Sequence, residues 1–124
     1  MNEIKVKDIW YVKFPYEDDP QKSKIRPVIV LDKRNDSLEV LSVKVTSKSP
    51  RDIDGVLDEY EVPIFNWQES NLIKPSVARI SKIQLIHQNA FLEYIGKITD
   101  KDWNNINKKA KSYFQLMEQQ KALD

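Results

Sequence analysis

The chain has 124 residues, 40% hydrophobic and 31% charged, and its 20 Lys and Arg against 19 Asp and Glu leave a net charge of +1. This composition predicts one folded domain, residues 1–124, and excludes a polyanion binder that depends on overall basicity. The lack of cysteine excludes disulfides and thiolate metal sites, and the single histidine, His87, excludes a metal site built from several histidines.

The N-terminal part of the chain predicts two strands. Residues 8–14 are aromatic and β-branched and predict a strand that ends at Pro15, while the polar stretch 16–25 predicts a loop. Residues 26–32 form a continuous apolar run with a polar residue at each end, which is typical of a strand buried on both faces. Pro27 is expected near the start of that strand, where a missing N–H is tolerated.

A turn at 33–37 and a further strand at 38–47 complete a predicted hairpin. Side chains alternate along a strand, so one face of 38–47 carries apolar residues and is expected to face the core. The other face carries a polar row that ends at Thr46. The apolar face comprises Leu41, Val43 and Val45, and the polar row comprises Ser42, Lys44 and Thr46.

The middle of the chain is less regular. The locally acidic stretch 48–61 predicts a second long loop, and 60–65 predicts a short strand weakened by a proline. Asn66 is placed to cap a single helical turn. Two further strands are predicted at 75–81 and 91–98.

The C-terminal segment changes to a helical period. Thr99 is the expected N-cap, and its spacing from Asp102 resembles a capping box. The pattern predicts an amphipathic helix over about 100–120, so that the whole chain forms a small, strongly bent antiparallel sheet or barrel of five or six strands followed by one helix. The apolar positions that recur at spacings of three and four are Trp103, Ile106, Ala110, Tyr113 and Met117.

Five segments in this order resemble the MazF/PemK-type (Kid-like) toxins, and together they cover most of the chain. They read DIWYVKFP, RPVIVL, VKVTS, KPSVARISKIQLI and IGKITDKDW. The resemblance implies a mainly β SH3-like barrel over about 7–98 with a C-terminal helix, and a homodimer. It also implies an mRNA interferase of a type II toxin–antitoxin system. Such an enzyme cuts single-stranded RNA at short sequences through the ribose 2′-OH, needs no metal or cofactor, and is neutralised by an antitoxin.

The same resemblance assigns site residues. The family's catalytic arginine falls on Arg26 and its catalytic threonine on Thr46, while a third arginine used in the PemK/Kid branch falls on Arg79. That branch carries an acid two positions after the third arginine, where this chain has Ser81. The residues expected to bind RNA are Arg79, Lys22, Lys24, Lys44, Ser47, Lys48 and Ser81.

The chemistry of these residues is compatible with RNA cleavage. Internal transesterification needs a base near the 2′-OH, an acid for the leaving 5′-oxygen and cations for the developing charge. An arginine offers a planar, multidentate grip on phosphate but is a poor proton acceptor, so we assign charge stabilisation to Arg26. In a hairpin of 26–32 with 38–47, Arg26 and Thr46 lie together at the open end.

Other interpretations of the same residues stay open. Arg26 can pair with Asp32 at the surface, Thr46 can be an ordinary strand residue, and Arg79 can form a structural ion pair. The lysines can be simply solvated, and the acidic stretch 52–61 can be solvated or can repel phosphate. Two alternative functions also stay open: a non-catalytic toxin of the same fold that binds DNA gyrase, and an inactive RNA-binding barrel.

The expected location is the cytoplasm, without membrane contact. No apolar run approaches the roughly 20 residues that span a bilayer, and the N-terminus has no signal-peptide core. The two glycines are too few for a glycine-rich loop around a nucleotide phosphate.

Overall fold

A computed structural model describes residues 3–15, 19, 21–47 and 60–123. Six strands form one antiparallel sheet in the order β4-β5-β3-β2-β1-β6, and a helix follows the last strand. This architecture confirms the prediction of a mainly β fold with a C-terminal helix. The elements are β1 (Asp8–Pro15), β2 (Ser23–Asp32), β3 (Glu39–Ser47), β4 (Glu61–Ile64), β5 (Ser76–His87), β6 (Phe91–Lys97) and α1 (Asp100–Leu123).

Strand β2 begins earlier than the sequence predicts. Residues 23–25, expected in a loop, pair with the last three residues of β1, because β1 offers unpaired backbone groups as far as Pro15. Pro27 therefore lies in mid-strand, opposite Tyr11. Its missing N–H is tolerated because the β2–β3 ladder ends at Val28, so that β2 has a neighbour on one side only at Pro27.

The sheet buries side chains on both of its faces. The face toward α1 carries the larger group, which we call the helix-side core, and the opposite face carries a second core. Alternation along β2 places Val28 and Val30 in the second core and Ile29 in the helix-side core, and all three are fully buried. The prediction of a strand covered on both sides is confirmed there. The helix-side core comprises Ile9, Ile29, Val43, Val45, Val62, Ile64, Leu72, Ala78, Ile80, Ile98, Ile106 and Ala110, and the second core comprises Trp10, Val12, Phe14, Val28, Val30, Val40 and Ile86.

The polar row of β3 lies partly in an apolar environment. Ser42 is fully buried on the face of the second core, and its hydroxyl donates to the carbonyl of Val40 at 3.1 Å. Lys44 and Thr46, further along the same row, are half-buried. The row therefore runs from the second core toward the more open end of the sheet.

Strand β5 extends to His87, six residues beyond the predicted end. A bulge explains how it stays paired with β3: Lys44 pairs with Arg79, but the next residue, Val43, pairs with Ile83. The bulge places Ser81 outside the β3–β5 ladder. Beyond the bulge, β3 pairs with the rest of β5. The local sequence composition does not predict this pairing.

Helix α1 begins with the predicted cap. The Trp103 N–H donates to the Thr99 carbonyl at 2.8 Å, and the Thr99 hydroxyl donates to the Asp102 carboxylate at 3.3 Å. Asp102 is fully buried and also accepts the backbone N–H groups of Phe65 and Asn66 at 3.0 and 2.8 Å. The cap thus fastens the segment after β4 to the start of the helix.

The prediction of a single helical turn after Asn66 is confirmed, because the Ser70 N–H donates to the Asn66 carbonyl at 3.1 Å, but its side chain is used differently from the predicted cap. The Asn66 side-chain amide donates to the Thr99 hydroxyl at 3.1 Å. In the described part of the chain, the one long helix is not apolar enough to cross a bilayer.

Candidate functional site

A row of charged residues crosses three neighbouring strands at one end of the sheet. Lys44 on β3 pairs with Arg79 on β5, and Arg79 pairs in turn with Glu61 on the edge strand β4. Residues paired in this way project to the same side of a sheet, which here is the side of the second core. We call this side the site face. Arg79 Nε lies 3.9 Å from Glu61 Oε1, and the side chains are 30% and 7% exposed.

Buried polar atoms that have no hydrogen bond within the described residues include two from this region, the Thr46 hydroxyl oxygen and Arg79 Nε. Thr46 lies two residues beyond Lys44 on β3 and therefore projects to the same face. Buried polar groups without hydrogen bonds cost free energy and are uncommon, so two of them at neighbouring same-face positions of the β3–β5 ladder favour a site that a polar ligand completes.

Lys44 is held by an aromatic contact. Its ammonium nitrogen lies 5.4 Å from the ring centroid of Phe14, a buried residue of β1. The negative face of an aromatic ring attracts a cation, and this contact restricts an otherwise flexible side chain. Because β1 and β5 lie on opposite sides of β3, this contact holds the cation on the β1 side of the row.

Arg26 lies on β2 opposite Val12 and is half-buried on the site face. The β2–β3 hairpin that the sequence predicts is confirmed, but its ladder ends at Val28–Lys44. Continuing this register by two residues would place Arg26 opposite Thr46. Arg26 and Thr46 therefore lie at the open end of the hairpin, where β2 continues beside β1 and β3 continues beside β5.

The remaining predicted RNA-binding residues are not all brought to this face. Lys24 is exposed on the same side as Arg26, two residues before it. Lys22 lies in the turn before β2, 4.0 Å from the carboxylate of Asp19. Ser47 follows Thr46 and therefore projects to the other face, opposite Ser76.

Two further residues fall outside the row. Ser81 is exposed in the β5 bulge and is not paired with β3. Lys48 lies outside the described residues, as does most of the acidic stretch 52–61. Glu61, the last residue of that stretch, is the residue of this region that the sequence alone did not single out. Only the β4–β5 pairing could have identified it.

His87 is an exposed residue at the end of β5, where its Nδ1 accepts the backbone N–H of Asn89 at 3.1 Å. This contact agrees with the interpretation of a surface histidine outside the site. Within the described ranges, no group of three or more His, Asp or Glu side chains is arranged to hold a metal ion.

The fold and this face together define a small antiparallel sheet protein with a C-terminal helix and an arginine- and lysine-lined open end. A family profile described as "PemK-like, MazF-like toxin of type II toxin-antitoxin system" matches residues 5–114. The chain therefore belongs to this toxin family. No match was found among curated proteins.

Three solved structures of similar fold come from mycobacteria. An endoribonuclease in complex with its cognate antitoxin, from a mycobacterial species, has a TM-score of 0.69 at 14% identity over 92% of this chain and 97% of its own. The Mycobacterium tuberculosis toxin MazF-mt6 has a TM-score of 0.64 at 20% identity over 87% of this chain and 96% of its own. A mycobacterial endoribonuclease has a TM-score of 0.67 at 14% identity over 93% and 94%. At these identities the likeness establishes the fold.

Proposed function

We propose that this toxin is a metal-independent endoribonuclease that cuts single-stranded mRNA at short sequences, using the ribose 2′-OH as the nucleophile. The observation that carries the proposal is that two buried polar atoms, Thr46 Oγ1 and Arg79 Nε, have no hydrogen bond among the described residues and lie beside cationic side chains on one face. The oxygens of a phosphodiester accept hydrogen bonds from hydroxyl and guanidinium donors of this kind. Similar folds described as endoribonucleases support the reaction class.

The roles follow from the charges that develop during the reaction. Attack of the 2′-oxygen on the adjacent phosphorus builds negative charge on the non-bridging oxygens, which Arg26 and Arg79 stabilise as fixed cations. The Thr46 hydroxyl donates to one of these oxygens. The bond to the 5′-oxygen then breaks and leaves a 2′,3′-cyclic phosphate and a 5′-hydroxyl.

The RNA strand is held by local charge. Lys24 and Lys44 lie on the site face, and Lys22 lies in the turn beside it. Lys48, Ser47 and Ser81 complete the set expected to contact RNA in the sequence-based proposal. With a net charge of +1, the chain depends on this local concentration of cations and is expected to bind duplex DNA weakly.

Partners follow from the same proposal. We expect a homodimer in the cytoplasm, neutralised by a cognate antitoxin that occupies the RNA-binding face. The similar mycobacterial fold in complex with its cognate antitoxin supports such a partner.

The test is cleavage of a long RNA by the purified protein in EDTA, with sequencing of the cut ends. We expect discrete cuts that the Arg26→Ala variant makes at least about 100-fold more slowly, as for the loss of a transition-state charge contact. Arg34→Ala, at an exposed arginine in the β2–β3 turn, is the matched control and should cut normally. Absence of discrete cuts, or equal cutting by Arg26→Ala, would overturn the proposal.

A further inference from the structure

We propose that the row Glu61–Arg79–Lys44 works as a base, a phosphate clamp and an acid for RNA cleavage. The inference rests on the endoribonuclease function proposed above and assigns its two proton transfers, which Arg26 and Thr46 leave unassigned. In this assignment Glu61 accepts the proton of the 2′-OH, Arg79 grips the scissile phosphate, and Lys44 protonates the leaving 5′-oxygen.

The order of the row fits the geometry of the reaction. The attacking 2′-oxygen and the leaving 5′-oxygen lie on opposite sides of one phosphorus atom, so base and acid must flank the group that holds the phosphate. Register places Arg79 between Glu61 and Lys44, all on the site face. Two strand spacings of about 4.8 Å separate the outer two backbones by roughly 10 Å, with Arg79 between them.

Glu61 is the residue suited to accept a proton. Among the described residues paired with, or next in sequence to, Lys44, Thr46 and Arg79, it is the only one with a carboxylate. Arginine cannot serve, because its guanidinium does not deprotonate in proteins. The Glu61 side chain is 7% exposed and 3.9 Å from Arg79 Nε, so it is held beside the phosphate clamp.

A carboxylate at the position of Glu61 is unfavourable for binding RNA. Its charge repels the phosphate that Arg26, Arg79 and Lys44 attract, and simple electrostatics would favour RNA binding without it. A role in the chemical step accounts for its presence, since a base beside the scissile phosphate raises the rate even where it weakens binding.

Lys44 is suited to donate a proton. Its ammonium carries three N–H donors, and its contact with the Phe14 ring at 5.4 Å holds it on the side of Arg79 away from Glu61. Loss of one proton to the leaving alkoxide gives the 5′-hydroxyl product. Glu61 then returns its proton to solvent while Lys44 takes one up, so that both groups recover their starting states.

The experiment compares two substrates that differ at the leaving atom. One is an RNA containing the mapped cut site, and the other carries sulfur in place of the leaving 5′-oxygen. A thiolate leaves without protonation, so the loss of a general acid no longer slows the reaction. The variants are Lys44→Met and the isosteric Glu61→Gln, with Lys13→Met and Glu39→Gln as controls at exposed strand positions outside the row.

On normal RNA we expect both row variants to lower kcat by about 10²–10⁴-fold, the usual contribution of a general acid or base. On the sulfur substrate, Lys44→Met should recover to within about tenfold of the unmodified protein, while Glu61→Gln should stay slow. Glu61→Gln should bind a non-cleavable 2′-deoxy analogue as tightly as the unmodified protein or more tightly. Both controls should cleave normally.

Several outcomes would overturn the inference. If the Glu61→Gln protein cleaves at the normal rate, Glu61 is not the general base. If the Lys44→Met protein is equally slow on both substrates, Lys44 is not the general acid. Thermal unfolding checks that each variant is folded; if Glu61→Gln is not, Glu61→Asp replaces it and must be slower than the unmodified protein on both substrates. If the unmodified protein cleaves neither substrate, the proposed function itself fails, which is a separate result.

Discussion

The buried carboxylate of Asp102 is predicted to be a main anchor between the sheet and the helix. It accepts the N–H groups of Phe65 and Asn66 at 3.0 and 2.8 Å and the hydroxyl of Thr99 at 3.3 Å, and no part of the residue is exposed. The substitution Asp102→Ala removes the acceptor oxygens of all three hydrogen bonds at once. It leaves the two backbone donors without their partner and opens the cap of α1.

The magnitude follows from these contacts. A hydrogen bond to a charged group contributes about 1.5–3 kcal/mol, and two of them are made to backbone donors here. We therefore expect Asp102→Ala to lower the free energy of unfolding by about 3–5 kcal/mol. Asp102→Asn keeps one acceptor oxygen but turns an NH₂ group toward the other donor, and should cost about 1.5–3 kcal/mol.

The assay is urea unfolding followed by far-ultraviolet circular dichroism. Asp100→Ala is the matched control in the same helical turn, because the Asp100 side chain is 90% exposed and pairs only with Lys7, at 3.2 Å, among the described residues. It should cost less than about 1 kcal/mol. If Asp102→Ala costs no more than Asp100→Ala, with an unchanged dependence on urea, the reasoning about this anchor is refuted.

Three further predictions concern single side chains. Gly96→Ala should lower the free energy of unfolding by about 1–3 kcal/mol in the same urea assay, because an added Cβ would lie 2.6 Å from the Ser70 carbonyl oxygen; an unchanged midpoint would contradict this. Thr46→Val removes a buried hydroxyl that has no hydrogen bond among the described residues, so stability should stay equal or rise by up to about 1 kcal/mol while RNA cleavage falls; lost stability with normal cleavage would reverse the assignment. Trp10→Phe deletes the indole N–H that donates to Asp8 at 3.2 Å and should cost about 1–3 kcal/mol by calorimetry, and a neutral change would show that the bond contributes nothing.

Elements with a strong local pattern were predictable from the sequence. The apolar run in β2 and the three-and-four spacing in α1 each reflect burial that any compact fold of this chain must provide. The T-x-x-D cap at Thr99 was also predictable, since its hydrogen bonds are made within one helical turn. The β2–β3 hairpin followed because its strands are separated by a short polar turn.

Features that depend on a distant partner were not predictable. The N-terminal extension of β2 exists because β1 has free backbone groups to pair, and the β5 bulge exists because β3 continues beside it. Asn66 was expected to act locally, but it bonds to Thr99, 33 residues away. No local pattern carries these pairings.

The candidate site also combines residues that the sequence predicts with one that it does not predict. Arg26, Thr46 and Arg79 were singled out by family resemblance, and Lys44 by its position in the polar row of β3. In the sequence, Glu61 belongs to an acidic stretch whose simplest interpretation is a solvated loop. Its burial beside Arg79 arises only when β4 pairs with β5, so the sequence gives no sign that this acid differs from its neighbours.

The central claim is that the RNA's own 2′-OH is the nucleophile, and one measurement tests it most directly. A short RNA containing the mapped cut site is compared with the same oligonucleotide carrying a single 2′-deoxy sugar 5′ to the scissile phosphate, in EDTA. We predict that the deoxy oligonucleotide binds with similar affinity and is not cut, while the RNA yields a 2′,3′-cyclic phosphate and a 5′-hydroxyl. Continued cutting of the deoxy oligonucleotide, or products with a 5′-phosphate, would contradict the account.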